Sequence, residues 1–167
     1  DENIFLFYED FVLSKKVKES GKLVVISNKV KIKHLYSSSI EKIISKSGIT
    51  IINDTYNASF DSVKNAIELL GKTNFKRKIL LFGDILELGE YSEEIHRKIG
   101  KEIINNNIDL VILVGKNVEF TKNELINLNY DKNNIYLFSH ENETYEFLSK
   151  TLNKDDIILL KGSHSMN

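Results

Sequence analysis

The sequence contains no cysteine and no proline, and only one methionine. Without cysteine the chain has no disulfide, no thiolate metal site and no cysteine nucleophile, which fits a cytosolic protein. It also lacks a run of about 18 apolar residues, so we predict no membrane-spanning helix. The opening stretch DENIFLFYED has no basic start, so we expect no secretory signal and a cytoplasmic location.

Charge of either sign is nearly balanced, with 23 Lys and Arg against 24 Asp and Glu. The net charge of −1 creates no overall field that would attract nucleic acid or an anionic membrane, so we expect neither as a partner. The chain of 167 residues is 41% hydrophobic, enough for one core. It suits one compact domain, or a domain with an appendage.

Apolar runs and helical periodicities alternate from residue 49 onward. The runs predict strands at 49–53, 78–84, 109–115, 135–138 and 156–162, and the periodicity predicts helices at 61–71, 92–107 and near 118–128 and 143–152. Strict alternation is typical of βαβ units. The sequence therefore predicts an α/β fold, a mainly parallel sheet with helices on both faces. Ligands bind such sheets at the carboxyl ends of the strands.

The first part of the chain has a different pattern. Residues 22–35 read as a hairpin that turns at 27–29, so we treat 1–36 as an appendage or the remnant of a preceding domain. The main domain is predicted over 37–167. The first helix is expected to be capped by Ser59 or Asp61 and followed by Gly71 as its C′ residue, and the second helix is expected to be capped by Ser92.

Three polar loops follow predicted strands, and each has an ordinary interpretation beside a functional one. In NDTYNASFDS, Asp54, Tyr56 and Asn57 precede a helix whose free amides could meet an anion; a capped turn is favoured on pattern alone. In FGDILELGEYSEEIH, Asp84 and Glu87 could bind a cation or a substrate ammonium, or simply cap and solvate. No metal site is predicted from this pair.

The third loop, LLKGSHSMN, contains Lys161, Gly162 and Ser163. A lysine beside small hydroxyl residues could bind a carboxylate or a phosphate. An ordinary charged terminus after the last strand has the same pattern. The chain has no G-x-x-x-x-G-K-[ST] and no G-x-G-x-x-G after a strand. It therefore has no recognisable phosphate cradle of its own.

Taken in order and spacing, these loops resemble the Rossmann-like C-terminal domain of the Mur ligases over about residues 40–167. GDILELGEYSEEIH is similar to the family pattern G-D-M-x-E-L-G-x-x-S-x-x-x-H, and NDTYNASFDS to D-D-x-Y-N-A-N-P-x-S. The closest type adds D-alanyl-D-alanine to UDP-N-acetylmuramoyl tripeptide in peptidoglycan precursor synthesis. The resemblance implies ATP-dependent amide formation through an acyl phosphate, with ATP and Mg²⁺ held mainly by a central ATPase domain. The isolated chain is thus expected to be inactive.

The resemblance also implies roles by position. Asp54 matches an aspartate that contacts the nucleotide ribose, and Tyr56 and Asn57 lie in the loop that faces the nucleotide and acyl phosphate. The dipeptide is expected to border Asp84, Glu87, Leu88, Lys161, Gly162 and Ser163. His96 matches a family histidine to which no role is assigned, and no catalytic residue is identified.

Several positions depart from the family pattern. They are Asn53 for aspartate, Ser59-Phe60 for Asn-Pro, Ser39 for a basic linker residue and His164-Ser165 for Arg-Gly. Two lost basic contacts predict weaker nucleotide binding. They leave open a stand-alone binding module without catalysis, or another amide ligase of the superfamily that adds glutamate to folate or to a peptide.

Overall fold

The computed structural model describes residues 25–26, 32–33, 39–139 and 141–163. Within these ranges the strands are β1 (Val25–Ile26), β2 (Ile32–Lys33), β3 (Ser39–Ser45), β4 (Thr50–Asp54), β5 (Arg77–Gly83), β6 (Leu110–Val114), β7 (Ile135–Phe138) and β8 (Asp156–Lys161). The helices are α1 (Phe60–Gly71), α2 (Ser92–Asn105), α3 (Val118–Asn127) and α4 (Glu141–Thr151), with 3₁₀ turns at Gly89–Tyr91 and Lys132–Asn134.

The strands form a mixed sheet in the order β1-β3-β4-β8-β5-β6-β7, with β2 also paired to β3. Strands β4, β8, β5, β6 and β7 are parallel, whereas β3 runs antiparallel to β4. The alternation predicted from residue 49 onward is therefore confirmed, together with the α/β class. Strand β8, the last of the described strands, lies between β4 and β5.

The sheet is covered on both faces, as predicted. Along β5, Leu80 and Phe82 belong to a core that includes residues of α1, α2 and α3. Their neighbours Ile79 and Leu81 belong to a second core, to which α4 contributes Leu148. Successive side chains of a strand point to opposite faces, so a strand between two helix layers needs apolar residues at every position. This requirement explains the uninterrupted apolar runs.

The N-terminal prediction needs correction. Strands β1 and β2 both pair antiparallel with β3, so the expected pairing within a hairpin at 22–35 is wrong; its turn at 27–29 lies outside the described residues. Strand β3 was not predicted. Its Ile40 and Ile43 enter opposite cores, but Ile44 is 46% exposed, and this blurs the alternation in the sequence.

Two predicted helix ends are also wrong. Gly71 is the last residue of α1 rather than a residue beyond it, and it is small because a Cβ there would lie 2.8 Å from Asn106. Ser92 does not cap α2, which continues directly from the preceding 3₁₀ turn. Ser59 does cap α1, through a reciprocal pair of hydrogen bonds with Ser62. This capping box replaces the rigid Asn-Pro entry of the family pattern.

Candidate functional site

The carboxyl ends of β4, β8 and β5 lie side by side at one edge of the sheet. In the parallel registers, Asp54 of β4 and Phe82 of β5 are both opposite Lys161 of β8. Three predicted loops leave this edge: residues 54–59, 161–163 and 83–91. They are joined by hydrogen bonds from buried side chains, and we call them together the strand-end site.

Lys161 holds the first of these loops. Its side chain is 1% exposed, and its Nζ lies 3.2 Å from the Asp54 carboxylate oxygen Oδ2. The same ammonium donates to the backbone carbonyls of Asp54 and Asn57. Burial lowers the pKa of Lys161, while the charge of Asp54 and their hydrogen bond oppose this. Lys161 therefore binds the 54–57 turn rather than pointing into solvent.

The outer side of the same turn is open. Tyr56 is 63% exposed and Asn57 is also exposed, although the neighbouring Thr55 and Ala58 are buried. The departure at Asn53 has an internal role, because its Oδ1 accepts a hydrogen bond of 2.8 Å from the Thr55 hydroxyl. This arrangement presents one tyrosine and one amide on a turn that is fixed from behind.

The Asp84 carboxylate is hydrogen-bonded to the N-terminus of the neighbouring helix α3. Its Oδ1 accepts from the amide of Val118 at 2.8 Å, and its Oδ2 accepts from the amide of Lys116 at 3.1 Å and from the Asn117 side chain. These amides open α3, whose own Asn117 makes no side-chain cap. A carboxylate at a helix N-terminus satisfies free amides and complements the helix dipole. Asp84 is therefore a remote cap of α3.

Ser163 connects β8 to the loop after β5. Its amide donates to the Asp84 carbonyl at 3.1 Å, and its hydroxyl oxygen accepts from the Leu86 amide at 3.0 Å. The preceding Gly162 is also buried. Residues 161–163 thus connect the 54–59 loop, through Lys161, with the 83–91 loop, through Ser163.

His96 holds the loop after β5 from the side of α2. The ring is fully buried, its Nε2 accepts from the Ile85 amide at 3.2 Å, and its Nδ1 lies 2.8 Å from the Ser92 carbonyl oxygen. Burial lowers the pKa of His96, against the Ser92 hydrogen bond and the Asp84 charge. The sequence assigned no role to His96, because its hydrogen bonds connect different elements and leave no local pattern.

The outermost part of the 83–91 loop combines backbone strain with exposure. Glu87 has a φ of +63°, in the left-handed region, and its side chain is exposed. The adjacent Leu88 is partly buried against the core and anchors the loop. Tyr91 is 60% exposed. The strand-end site therefore exposes the carboxylates of Glu87 and Glu90, one amide and two phenol rings, on a scaffold of buried polar bonds.

The acidic residues of the site do not form a cation cage. Asp54 pairs with Lys161, and Asp84 accepts from three N–H groups. In the described part of the chain, no three His, Asp or Glu side chains are grouped as metal ligands. None of the helices in the described ranges is long and apolar enough to cross a membrane.

The chain is similar to known proteins over most of its length. A sequence profile of the family described as "Mur ligase, glutamate ligase domain" matches residues 40–164. A UDP-N-acetylmuramoyl-tripeptide–D-alanyl-D-alanine ligase of Bacillus subtilis is 34% identical over 128 residues, and one of Haemophilus influenzae is 36% identical over 125. These matches cover 76% and 71% of this chain, but 28% and 25% of the relatives.

A solved structure shows the same fold. The MurF ligase of Thermotoga maritima in complex with ADP has a TM-score of 0.57 and 29% identity, covering 72% of this chain and 26% of that one. The chain thus spans about a quarter of the length of the relatives that it matches. Since the family profile matches residues 40–164, including the three loops of the strand-end site, the chain belongs to the Mur ligase glutamate ligase domain family.

Proposed function

We propose that the chain is the C-terminal domain of an ATP-dependent ligase that adds D-alanyl-D-alanine to UDP-N-acetylmuramoyl tripeptide in the cytoplasm. The observation that carries this proposal is the match to ligases of that name, at 34 and 36% identity, across the described domain. We further propose that the segment before residue 37 is an appendage of this domain, because its strands β1 and β2 pair with β3.

In the proposed reaction, ATP phosphorylates the tripeptide carboxylate, and the amine of the dipeptide attacks the acyl phosphate and releases phosphate. Holding the two reactants in the correct orientation increases the reaction rate, because the attack becomes effectively unimolecular. The part of this domain would be to deliver the amine and to close over the nucleotide. Magnesium, when bound, would neutralise phosphate charge, and its ligands are assigned to the central domain.

The geometry separates the predicted site residues into two groups. Lys161, Ser163 and Asp84 are buried, with their side-chain polar atoms bonded inside the domain, and Gly162 is buried with them. We assign these four residues to holding the loops. Leu88 anchors the same loops. Tyr56 and Asn57 are exposed, and we assign these two to the nucleotide side. Asp54 is buried against Lys161, and we assign it to holding their turn in place for the nucleotide. We assign the exposed Glu87 to the ammonium of the dipeptide.

A chimaeric ligase tests this proposal. Residues 40–163 would replace the matched C-terminal part of the Bacillus subtilis relative, and ADP release would be measured with the tripeptide substrate and ATP. We expect turnover that depends on D-alanyl-D-alanine, and no turnover by the present chain alone, whose sequence contains neither of the two glycine-rich phosphate-binding motifs. A Glu87→Gln chimaera should raise the KM for the dipeptide and leave the KM for ATP unchanged.

The same assay discriminates between the alternatives. A folded chimaera that prefers glutamate to D-alanyl-D-alanine would identify another amide ligase of the superfamily. A folded chimaera that binds the substrates but shows no turnover with either amine would favour a non-catalytic binding module. Circular dichroism of each purified chimaera provides the folding control.

A further inference from the structure

The loop between β5 and α2, residues 84–91, is held at two consecutive backbone amides by side chains from two different elements. The Ile85 amide donates to His96 of α2, and the Leu86 amide donates to Ser163 beyond β8. Glu87, in its left-handed conformation, follows immediately. Left-handed non-glycine residues are strained and persist only where the surrounding structure determines them.

The bonds of His96 define its protonation state. A backbone amide can only donate, so the Nε2 that faces Ile85 carries no proton. The neutral ring then bears its proton on Nδ1, which donates to the Ser92 carbonyl oxygen at 2.8 Å. Both ring nitrogens are occupied inside the fold, and the ring has no exposed surface. His96 is therefore out of reach of a ligand and cannot itself act on substrate.

We propose that His96, as the neutral Nδ1–H tautomer, and Ser163 are positioning residues that hold the amides of Ile85 and Leu86 and thereby fix Glu87 at the exposed end of the loop. Protonation of Nε2 removes the acceptor for Ile85 and places two N–H groups against each other. The loop is thus released in acid. The contact between Glu87 and the dipeptide rests on the proposed function. The restraint of the loop by His96 and Ser163 is independent of it.

The surroundings of His96 determine the direction of its pH dependence. Asp84, at the end of β5, is the charged group that acts on the ring and favours the imidazolium, while the Phe82 ring and the Ser92 hydroxyl are neutral neighbours. The Thr121 hydroxyl of α3 donates to the backbone carbonyl of His96 and not to the ring. Burial outweighs the charge and lowers the pKa of His96 below its ordinary value of 6.5. The unfolded chain consequently takes up the proton first, and the free energy of unfolding decreases as pH falls through 6.5 toward the folded pKa.

Amide exchange on the full 167-residue chain, measured by NMR, tests the two contacts separately. In His96→Asn the shorter side chain cannot reach the Ile85 amide, whose exchange should accelerate about tenfold while that of Leu86 changes little. In Ser163→Ala the exchange of the Leu86 amide should accelerate instead, while that of Ile85 changes little. His96→Gln is the matched control, because its amide oxygen can take the place of Nε2 and retain protection of Ile85. The Leu81 amide of β5 serves as the internal reference.

The wild-type chain supplies a measurement that needs no variant. Long-range ¹H–¹⁵N spectra should show protonated Nδ1 and bare Nε2 at neutral pH, and the Ile85 amide resonance should shift with the titration of His96. An Nε2–H tautomer, or equal Ile85 exchange in His96→Asn and the wild type, would overturn the proposal.

Addition of D-alanyl-D-alanine separates the two hypotheses. Shifts at residues 85–91 that persist in His96→Gln and diminish in His96→Asn would support both. If the dipeptide produces no shift in the wild type while the exchange and tautomer results hold, the ligand assignment fails and the positioning role stands.

Discussion

At the scale of single residues, the ion pair between Lys161 and Asp54 joins two buried side chains of the strand-end site. Lys161 is 1% exposed and Asp54 4% exposed. A buried charge without its partner is far more costly than an intact pair, because neither water nor an opposite charge compensates it. The pair therefore holds the β4–α1 turn in place, whatever its net contribution to stability.

Replacement of Lys161 by methionine should lower the free energy of unfolding by about 3–5 kcal/mol, since it leaves the Asp54 carboxylate buried. Urea denaturation followed by circular dichroism measures this, as the chain contains no tryptophan. Lys150→Met, which breaks an exposed helical ion pair with Glu146, is the matched control and should have little effect. The double variant Asp54→Asn, Lys161→Met should be more stable than Lys161→Met alone. An equal decrease in the free energy of unfolding in Lys150→Met and Lys161→Met would contradict this prediction.

At the scale of elements, the junction between β5 and α3 depends on the close approach of a backbone to a carboxylate. Gly115 has a φ of +124°, and a Cβ at that position would lie 2.7 Å from the Asp84 carboxylate. That carboxylate caps α3 through the amides of Lys116 and Val118. A side chain at 115 would strain the backbone and displace the cap at once.

Gly115→Ala should therefore destabilise the domain by about 3 kcal/mol or more, the sum of backbone strain and lost charge-assisted hydrogen bonds. Gly89→Ala is the matched control, because Gly89 also has a positive φ, of +53°, but a Cβ there meets nothing within 4 Å. Its cost should be about 1 kcal/mol. Urea denaturation of both variants measures the difference. A similar decrease in the free energy of unfolding in Gly115→Ala and Gly89→Ala would show that the contact with Asp84 is unimportant.

At the scale of the whole molecule, the central strand of the sheet is the last of the described strands in the sequence. All six residues of β8 are buried, and it pairs on one side with β4 and on the other with β5. The sheet cannot be completed until the chain has returned from β7 through α4. The two halves of the sheet are consequently joined only by the final strand of the described domain.

A chain that stops at residue 153 should lack a cooperative unfolding transition, because β4 and β5 would each lose their common neighbour. A chain that stops at residue 163 retains β8 and is the control; it should unfold cooperatively with wild-type circular dichroism. Thermal melts and dispersion of NMR amide resonances distinguish them. Cooperative unfolding of the shorter chain at the same temperature would refute this role of β8.

Local pattern was enough to predict most elements of this protein. Apolar β-branched runs and helical spacing identified the parallel strands and the helices, because a strand buried on both faces and a helix buried on one leave distinct periodicities. The same patterns placed Asp54, Asp84 and Lys161 at strand ends. Strand β3 was missed because the exposed Ile44 obscures its alternation.

The sequence by itself therefore determined the class of fold, the family and the edge of the sheet that carries the loops. Only the tertiary structure decided what each side chain does there. Lys161 reaches a carbonyl 107 positions earlier, Ser163 an amide 77 earlier, and Asp84 an amide 32 later. Such contacts depend on strand order and burial, which local periodicity does not encode. Folding thus commits Asp84, Lys161 and His96 to the interior and leaves Tyr56, Asn57 and Glu87 at the surface.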